Sequence, residues 1–298
     1  MVFSYLEGRN CTEVLAAGFS LSFIIASGAV KSISVMVMES WGVSEQQMPY
    51  ITGALFLLPF VLSVWMLDQL PLPTERDEAN RTKRIPMNAA LRWQFYRNFA
   101  LGISTLVALF MLLMSFRDLR GFYMVELLRE LGYKNVPALL TVTELLVTIF
   151  VLAVLASLAL ISNNARALIA IHYVIGLGFV LVGVSAAAFQ AQFIAAPVWI
   201  VLMGMGIFMG FVPFSCFLFE RLIATFRTSG NAEFGIYLID ALGYSTTVFV
   251  LLYKNISQPD ISWVSFFIQS SYLVAFGGAC LTAVSVIFFK KEYEKFFS

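Results

Sequence analysis

The chain has 298 residues, of which 60% are hydrophobic and only 12% charged, with a formal net charge of +1. That balance excludes a soluble globular domain, whose surface requires far more charge. It also leaves no concentrated basic face for nucleic acid. A single histidine excludes a multi-histidine metal site. The three cysteines, Cys11, Cys216 and Cys280, are not spaced like a metal or redox pair, so neither metal nor cofactor is expected.

Mean hydropathy is +0.84, and the apolar runs between charged clusters have membrane-spanning length. Met1 to Asn10 is short and polar, without a small-residue cleavage site, so no cleavable signal is expected ahead of the first span. That span runs from Thr12 to about Met38, with Thr12 as cap and Glu13 in the acidic first turn. The second covers Met48–Leu67 and places Pro49 in its first turn. A polar segment, Asp68–Asn98, opens with Pro71 and Pro73 and ends with Arg92, Trp93, Tyr96 and Arg97. It reads first as a solvated connector with an interfacial aromatic anchor; a hinge between two helical bundles is the sharper reading, and both can hold. The third span is apolar from Phe99 to Phe116 and continues as a charged helix to about Leu131.

The fourth span covers Val136–Ile161, the fifth Ala167–Phe189 and the sixth Pro197–Phe219, with Pro213 predicted to kink it. Gly230-Asn231 breaks the chain before the seventh span, Phe234–Tyr253, and the eighth covers Ile261–Phe289. Each supplies roughly the 20 residues a hydrocarbon core demands. Helix is the required assignment, because lipid cannot satisfy exposed backbone groups. The fold class is therefore an all-α polytopic bundle of about eight helices. Gly206 with Gly210, Ser27-Gly28 and Gly277-Gly278 mark places of close helix approach.

Basic residues orient the spans. Arg9, Arg76, Arg81, Lys83, Arg84, Arg92, Arg97, Arg166, Arg221, Arg227, Lys290, Lys291 and Lys295 fall on one side, 13 of the 19 Lys and Arg. The opposite loops hold Arg129, Lys134 and Lys254, with Arg120 near the edge. The positive-inside rule then places both termini and the 68–98 segment in the cytoplasm, which requires an even number of spans.

Ionisable residues inside the spans are the functional candidates. At 1.5 Å per helical residue, Lys31, Arg117, Asp118 and Glu144 fall in one outer-half layer, two basic and two acidic. Asp240 lies nearer the cytoplasm, about six residues into the seventh span. These five are expected to line a substrate or proton path; the competing reading is a set of structural ion pairs and snorkelling side chains. His172 reads as a satisfied polar residue near the interface. Glu220 and Arg221 read as a structural ion pair, a latch at a helix end. No nucleophile, base and orienter set is present, so enzymatic activity is not expected.

Two spans, a long cytoplasmic loop and six spans with a basic tail resemble the major facilitator superfamily from its fifth helix to its twelfth. More specifically, Leu6-Glu7-Gly8-Arg9, Pro71-Leu72-Pro73-Thr74, Arg84-Ile85-Pro86-Met87, Phe116-Arg117-Asp118, Phe219-Glu220-Arg221-Leu222 and Gly230-Asn231 are similar to a bacterial membrane family known only as a domain of unknown function. Tyr237, Asp240 and Gly243-Tyr244 continue that pattern. The superfamily resemblance implies 1–67 as a remnant of an N-terminal bundle, 68–98 as a cytoplasmic linker and 99–298 as the six-helix C-terminal bundle. It also implies a bacterial inner-membrane protein moving a small solute by rocking two bundles about a midplane site. Four N-terminal helices of that pattern, and the signature loop between its second and third helices, are not in this sequence. A truncated frame, a split gene or a degenerate copy is the expectation, with a four-helix partner or a homo-oligomer completing the fold. A non-transporting accessory, sensor or assembly protein is the alternative.

Overall fold

The computed structural model describes residues 12–71, 87–134, 136–228, 232–257 and 262–297. Arg9, Cys11, the loop residues Arg76, Arg81, Lys83 and Arg84, and the Gly230-Asn231 break lie outside the described residues, as do the side chains of Thr12 and Ser27. The elements in order are α1 (Thr12–Trp41), α2 (Met48–Asp68), α3 (Ala89–Asn98), α4 (Ala100–Glu130), α5 (Val136–Ala159), α6 (Asn164–Gln190), α7 (Ala196–Pro213), a π-turn (Phe214–Leu218), α8 (Phe219–Phe226), α9 (Ala232–Ser257) and α10 (Trp263–Phe297). No strand occurs among the described residues. Eight segments are long and apolar enough to cross a membrane, with α7, the π-turn and α8 acting as one, Ala196–Phe226. The chain is an all-α, multi-pass integral membrane protein.

Helix ends obey backbone accounting. α1 stops before Gly42, whose φ of 65° favours a residue without a Cβ. α4 ends in a Schellman motif at Gly132, where Tyr133 N donates to Leu128 O over 3.1 Å and Gly132 N to Arg129 O over 3.0 Å. Glu130 then caps the start of α10, accepting from Trp263 N at 2.7 Å. This carboxylate satisfies an orphan donor at the positive end of a helix dipole.

The polar segment contains a helix that hydropathy alone does not reveal. Asn88 accepts from Leu91 N at 2.9 Å and starts α3. Phe95 is buried against Phe99 and Phe234, while Trp93 stays 64% exposed beside Tyr96. Pro213, where a kink was predicted, precedes the π-turn. Proline lacks the N–H that would close an α-turn, and one wide turn resolves the mismatch; Ser215 Oγ returns a bond to Phe211 O at 3.3 Å.

Two compact units divide the chain, one with residues up to 83 and 135–145, the other with 84–134 and 146–298. In the first, α1 runs antiparallel to the start of α5. Ser32 Oγ lies 2.8 Å from Pro137 O and 2.8 Å from Thr141 Oγ1, and Gly28 admits the Glu144 side chain. In α2 only Thr52 is buried; Leu58, Phe60 and Trp65 present open apolar surface suited to lipid.

In the second unit α4 and α9 run parallel, Gly243 facing Phe110 and Met114 and Thr247 facing Asp118. α10 returns antiparallel to α4 and α6: Gly102 meets Phe288 and Phe289, Gly176 meets Thr282, and Phe116 meets Phe267. α6 crosses α7 where Gly178 and Gly206 bring backbone against backbone; a Cβ at 206 would sit 2.6 Å from Gly178 O. Gly206, one of the close-approach positions read from the sequence, thus lies in a backbone contact, with Gly178 as the partner the sequence did not indicate. Gly206→Ala is expected to lower stability by about 2 kcal/mol, because a backbone carbonyl cannot rotate away from the new methyl. Gly53→Ala, with nothing within 4 Å, is expected to be neutral or stabilising by up to about 1 kcal/mol. Unfolding of the two variants in detergent checks the contrast.

Candidate functional site

The charge-bearing stretch of α4 follows its apolar run directly. Arg117 and Asp118 pair, with Nε at 2.9 Å and Nη2 at 2.7 Å from Asp118 Oδ1. The other carboxylate oxygen accepts from Thr247 Oγ1 of α9 at 2.9 Å. The Arg117 guanidinium lies 4.2 Å from the centroid of the Phe211 ring on α7. Phe211 in turn stacks on Phe110 at 5.3 Å. One charge pair therefore ties three helices together through a charge-assisted hydrogen bond and a cation–π contact.

Asp240 is half-buried on α9, seven residues before Thr247 and so on the same face. It lies within Coulombic reach of Arg117. Arg117 is thus hydrogen-bonded to Asp118 and interacts electrostatically with Asp240. The pair keeps contact with its surroundings, its side chains being 21% and 12% exposed.

Arg120, which the sequence places near the edge of its span, packs among the helices. It is 3% exposed, its guanidinium 5.9 Å from the Phe208 ring and close over Gly204. The cause is geometric: Arg120 follows Arg117 by three residues on α4, while Phe208 and Phe211 repeat that spacing on α7. A Cβ at position 204 would lie 2.8 Å from Arg120 Nη2, so glycine makes room for the guanidinium. Arg120 and Thr247 are the residues that sequence reasoning missed. The three-residue spacing of Arg117 and Arg120 was the available signal; the hydroxyl of Thr247 gave none.

The remaining predicted residues each have their own surroundings. Glu144, 4% exposed, belongs to the first unit, seated on Gly28 of α1, and Lys31 is half-buried three residues further along the same helix. His172 is fully buried, with Nδ1 2.7 Å from Leu168 O and Nε2 3.0 Å from Ser285 Oγ. It is a satisfied packing residue. Arg221 donates from Nη1 to Asn164 Oδ1 at 2.8 Å and so fastens α8 to the start of α6. Glu220 shares that end of α8. Among the described residues no group of three or more metal-ligating side chains converges.

One family spans these features. The match covers residues 1–292, and the family is described as a family of unknown function, DUF5690. The chain belongs to this family. No match was found among curated proteins or among solved structures. Membership in DUF5690 carries no activity with it, so the chemistry rests on the residues above.

If Asp118 and Thr247 act as a unit, their losses are coupled. Asp118→Ala is expected to cost about 1–3 kcal/mol, because it strips the half-buried Arg117 of its hydrogen-bonded anion. Thr247→Val is expected to cost about 1 kcal/mol. The double variant should fall short of the sum by more than about 0.5 kcal/mol. Denaturant unfolding of the purified protein reads the cycle, and simple additivity would refute the coupling.

Proposed function

We propose that this chain is a secondary-transporter-like membrane protein that moves a small polar or charged solute by alternating access. In this reading it keeps a major facilitator-like two-plus-six plan with both termini cytoplasmic, in a bacterial inner membrane. The observation that carries the proposal is the Arg117–Asp118 pair, partly accessible at the apolar-to-charged boundary of α4 and wired to α9 by Thr247 and to α7 by Phe211. The pair is not sealed off, and the charge of a second carboxylate, Asp240, acts on its cation.

The proposed step is an exchange. Neutralising Asp240 with a proton or a bound cation leaves Arg117 to Asp118 alone, and an anionic solute group at Arg117 displaces Asp118 toward Thr247. Either event changes how α4, α7 and α9 are tied, which gives a ligand a differential hold on two arrangements of the helices. Lys31 and Glu144 are the corresponding candidates in the first unit.

A second reading has its own support. Arg117, Asp118 and Thr247 already satisfy one another, so a sensor, accessory or assembly role would need no solute. Reconstituted uptake separates the two, run with the chain alone and with an upstream four-helix partner. Asp240→Asn and Asp118→Asn are each expected to reduce flux at least tenfold while the protein stays folded. Flux indifferent to both substitutions would remove these residues from the path. Absence of flux from wild type with any partner would favour the accessory reading.

A further inference from the structure

A cavity of about 760 Å³ opens among the first turns of α6, the end of α8 and the end of α10, away from the α4–α9 charge pair. Its floor is apolar: Leu168 and Phe226 are 2% exposed and Phe289 is 1%, and the Phe226 and Phe289 rings lie 6.2 Å apart. Its mouth is cationic and aromatic. Lys290 Nζ donates to Tyr173 Oη over 2.9 Å and sits 5.4 Å from the Tyr173 ring centroid, which fixes the ammonium at the rim. Arg166 also lines the cavity, from the first turn of α6. Glu294 is the one acidic lining residue, so the two cations leave a single net positive charge.

Position matters as much as composition. α6 begins and the apolar part of α10 ends at this level, so the mouth lies where a span meets the headgroup layer. Arg221, bonded to Asn164, holds α8 against α6 and keeps the wall in place. A soluble ligand would gain little from a floor of Phe and Leu beneath two cations. A lipid fills both parts, with a phosphate at the mouth and the start of an acyl chain on the floor.

We infer that this cavity is a binding site for a singly charged anionic phospholipid, with the phosphodiester held by Arg166 and Lys290 and the glycerol end of its acyl chains resting on Phe226 and Phe289. Tyr173 acts as a positioning residue by orienting Lys290. The site is independent of the transport reading, since none of its residues belongs to the α4–α7–α9 cluster.

The test uses the full chain reconstituted in nanodiscs of phosphatidylcholine with a minor share of phosphatidylglycerol, followed by native mass spectrometry of lipids kept on release. Wild type is expected to retain phosphatidylglycerol several-fold above its share. The double variant Arg166→Gln with Lys290→Gln, and separately Ala170→Phe, which fills the lining without changing charge, should each fall to the level of the bulk mixture. Lys295→Gln, on the same helix but outside the cavity, should behave as wild type. Enrichment that survives either cavity variant, or that falls equally with Lys295→Gln, would overturn the site. Glycerol 3-phosphate added in solution should not compete; full displacement by it would assign the cavity to a soluble phosphate and overturn the lipid. Tyr173→Phe, the mildest change, should weaken retention without loss of fold and guards against a misfolded double variant.

Discussion

A charged side chain carried into a layer of apolar helices has to find its solvation among its neighbours, and the second unit is arranged around that demand. Lipid offers no hydrogen bonds, and a charge left alone there costs several kcal/mol. Arg117 takes a carboxylate from its own helix and a ring from α7. Arg120 takes a second ring one turn along the same two helices. Asp118 completes its shell with a hydroxyl from α9, and His172 does so with a backbone carbonyl and Ser285. Together these solutions recruit α7, α9 and α10, so the polar groups help specify which helices are neighbours.

These arrangements need helices close enough for short side chains to meet, and glycine provides that. Gly178 and Gly206 let the α6 and α7 backbones touch, Gly243 lets α9 lie on Phe110 and Met114, and Gly204 leaves the volume that the Arg120 guanidinium occupies. In a membrane no hydrophobic effect draws helices together, so such contacts and the polar bonds they permit are the source of cohesion. A methyl at Gly204 would therefore act on a charge, even though the residue itself has no polar side chain.

The spans were legible because their signal is collective: twenty apolar residues outweigh any local ambiguity. Helix starts at Thr12, Met48, Val136 and Ala196 follow from the sequence to within a residue. Structure that depends on a few residues was not legible. α3 is too short and mixed for hydropathy, and its existence rests on one Asn88 cap and one buried Phe95. The extension of α10 through Lys290 to Phe297 looked like a basic tail, yet Lys290 is held by Tyr173 and Phe296 by Phe226. The burial of Arg120 was hidden for a related reason. Charge predicts exposure on average, and only the pairing of its three-residue spacing with that of two phenylalanines reverses the rule. Of the candidate residues, depth put Arg117 and Asp118 in one layer but Asp240 in another, nearer the cytoplasm; the Coulombic interaction of Asp240 with Arg117 and the hydroxyl of Thr247 both needed the parallel register of α4 and α9.

One segment belongs to both polar regions of the second unit. α7 brings Phe208 and Phe211 to the arginines, and α8 brings Phe226 and Thr225 to the cavity at the helix ends. Between them lies the π-turn after Pro213, where α-helical bonding is interrupted. A wide turn of this kind converts to regular helix only by shifting the residues beyond it by about one position. Phe214, which packs on Phe110 at 5.3 Å and Phe219 at 6.4 Å, sits inside the turn. Any change in how Arg117 grips Phe211 would be felt first there, because the stack runs from Arg117 through Phe211 and Phe110 to Phe214. The joint between α7 and α8 is thus a segment that touches both regions, through Phe211 on one side and Phe226 on the other.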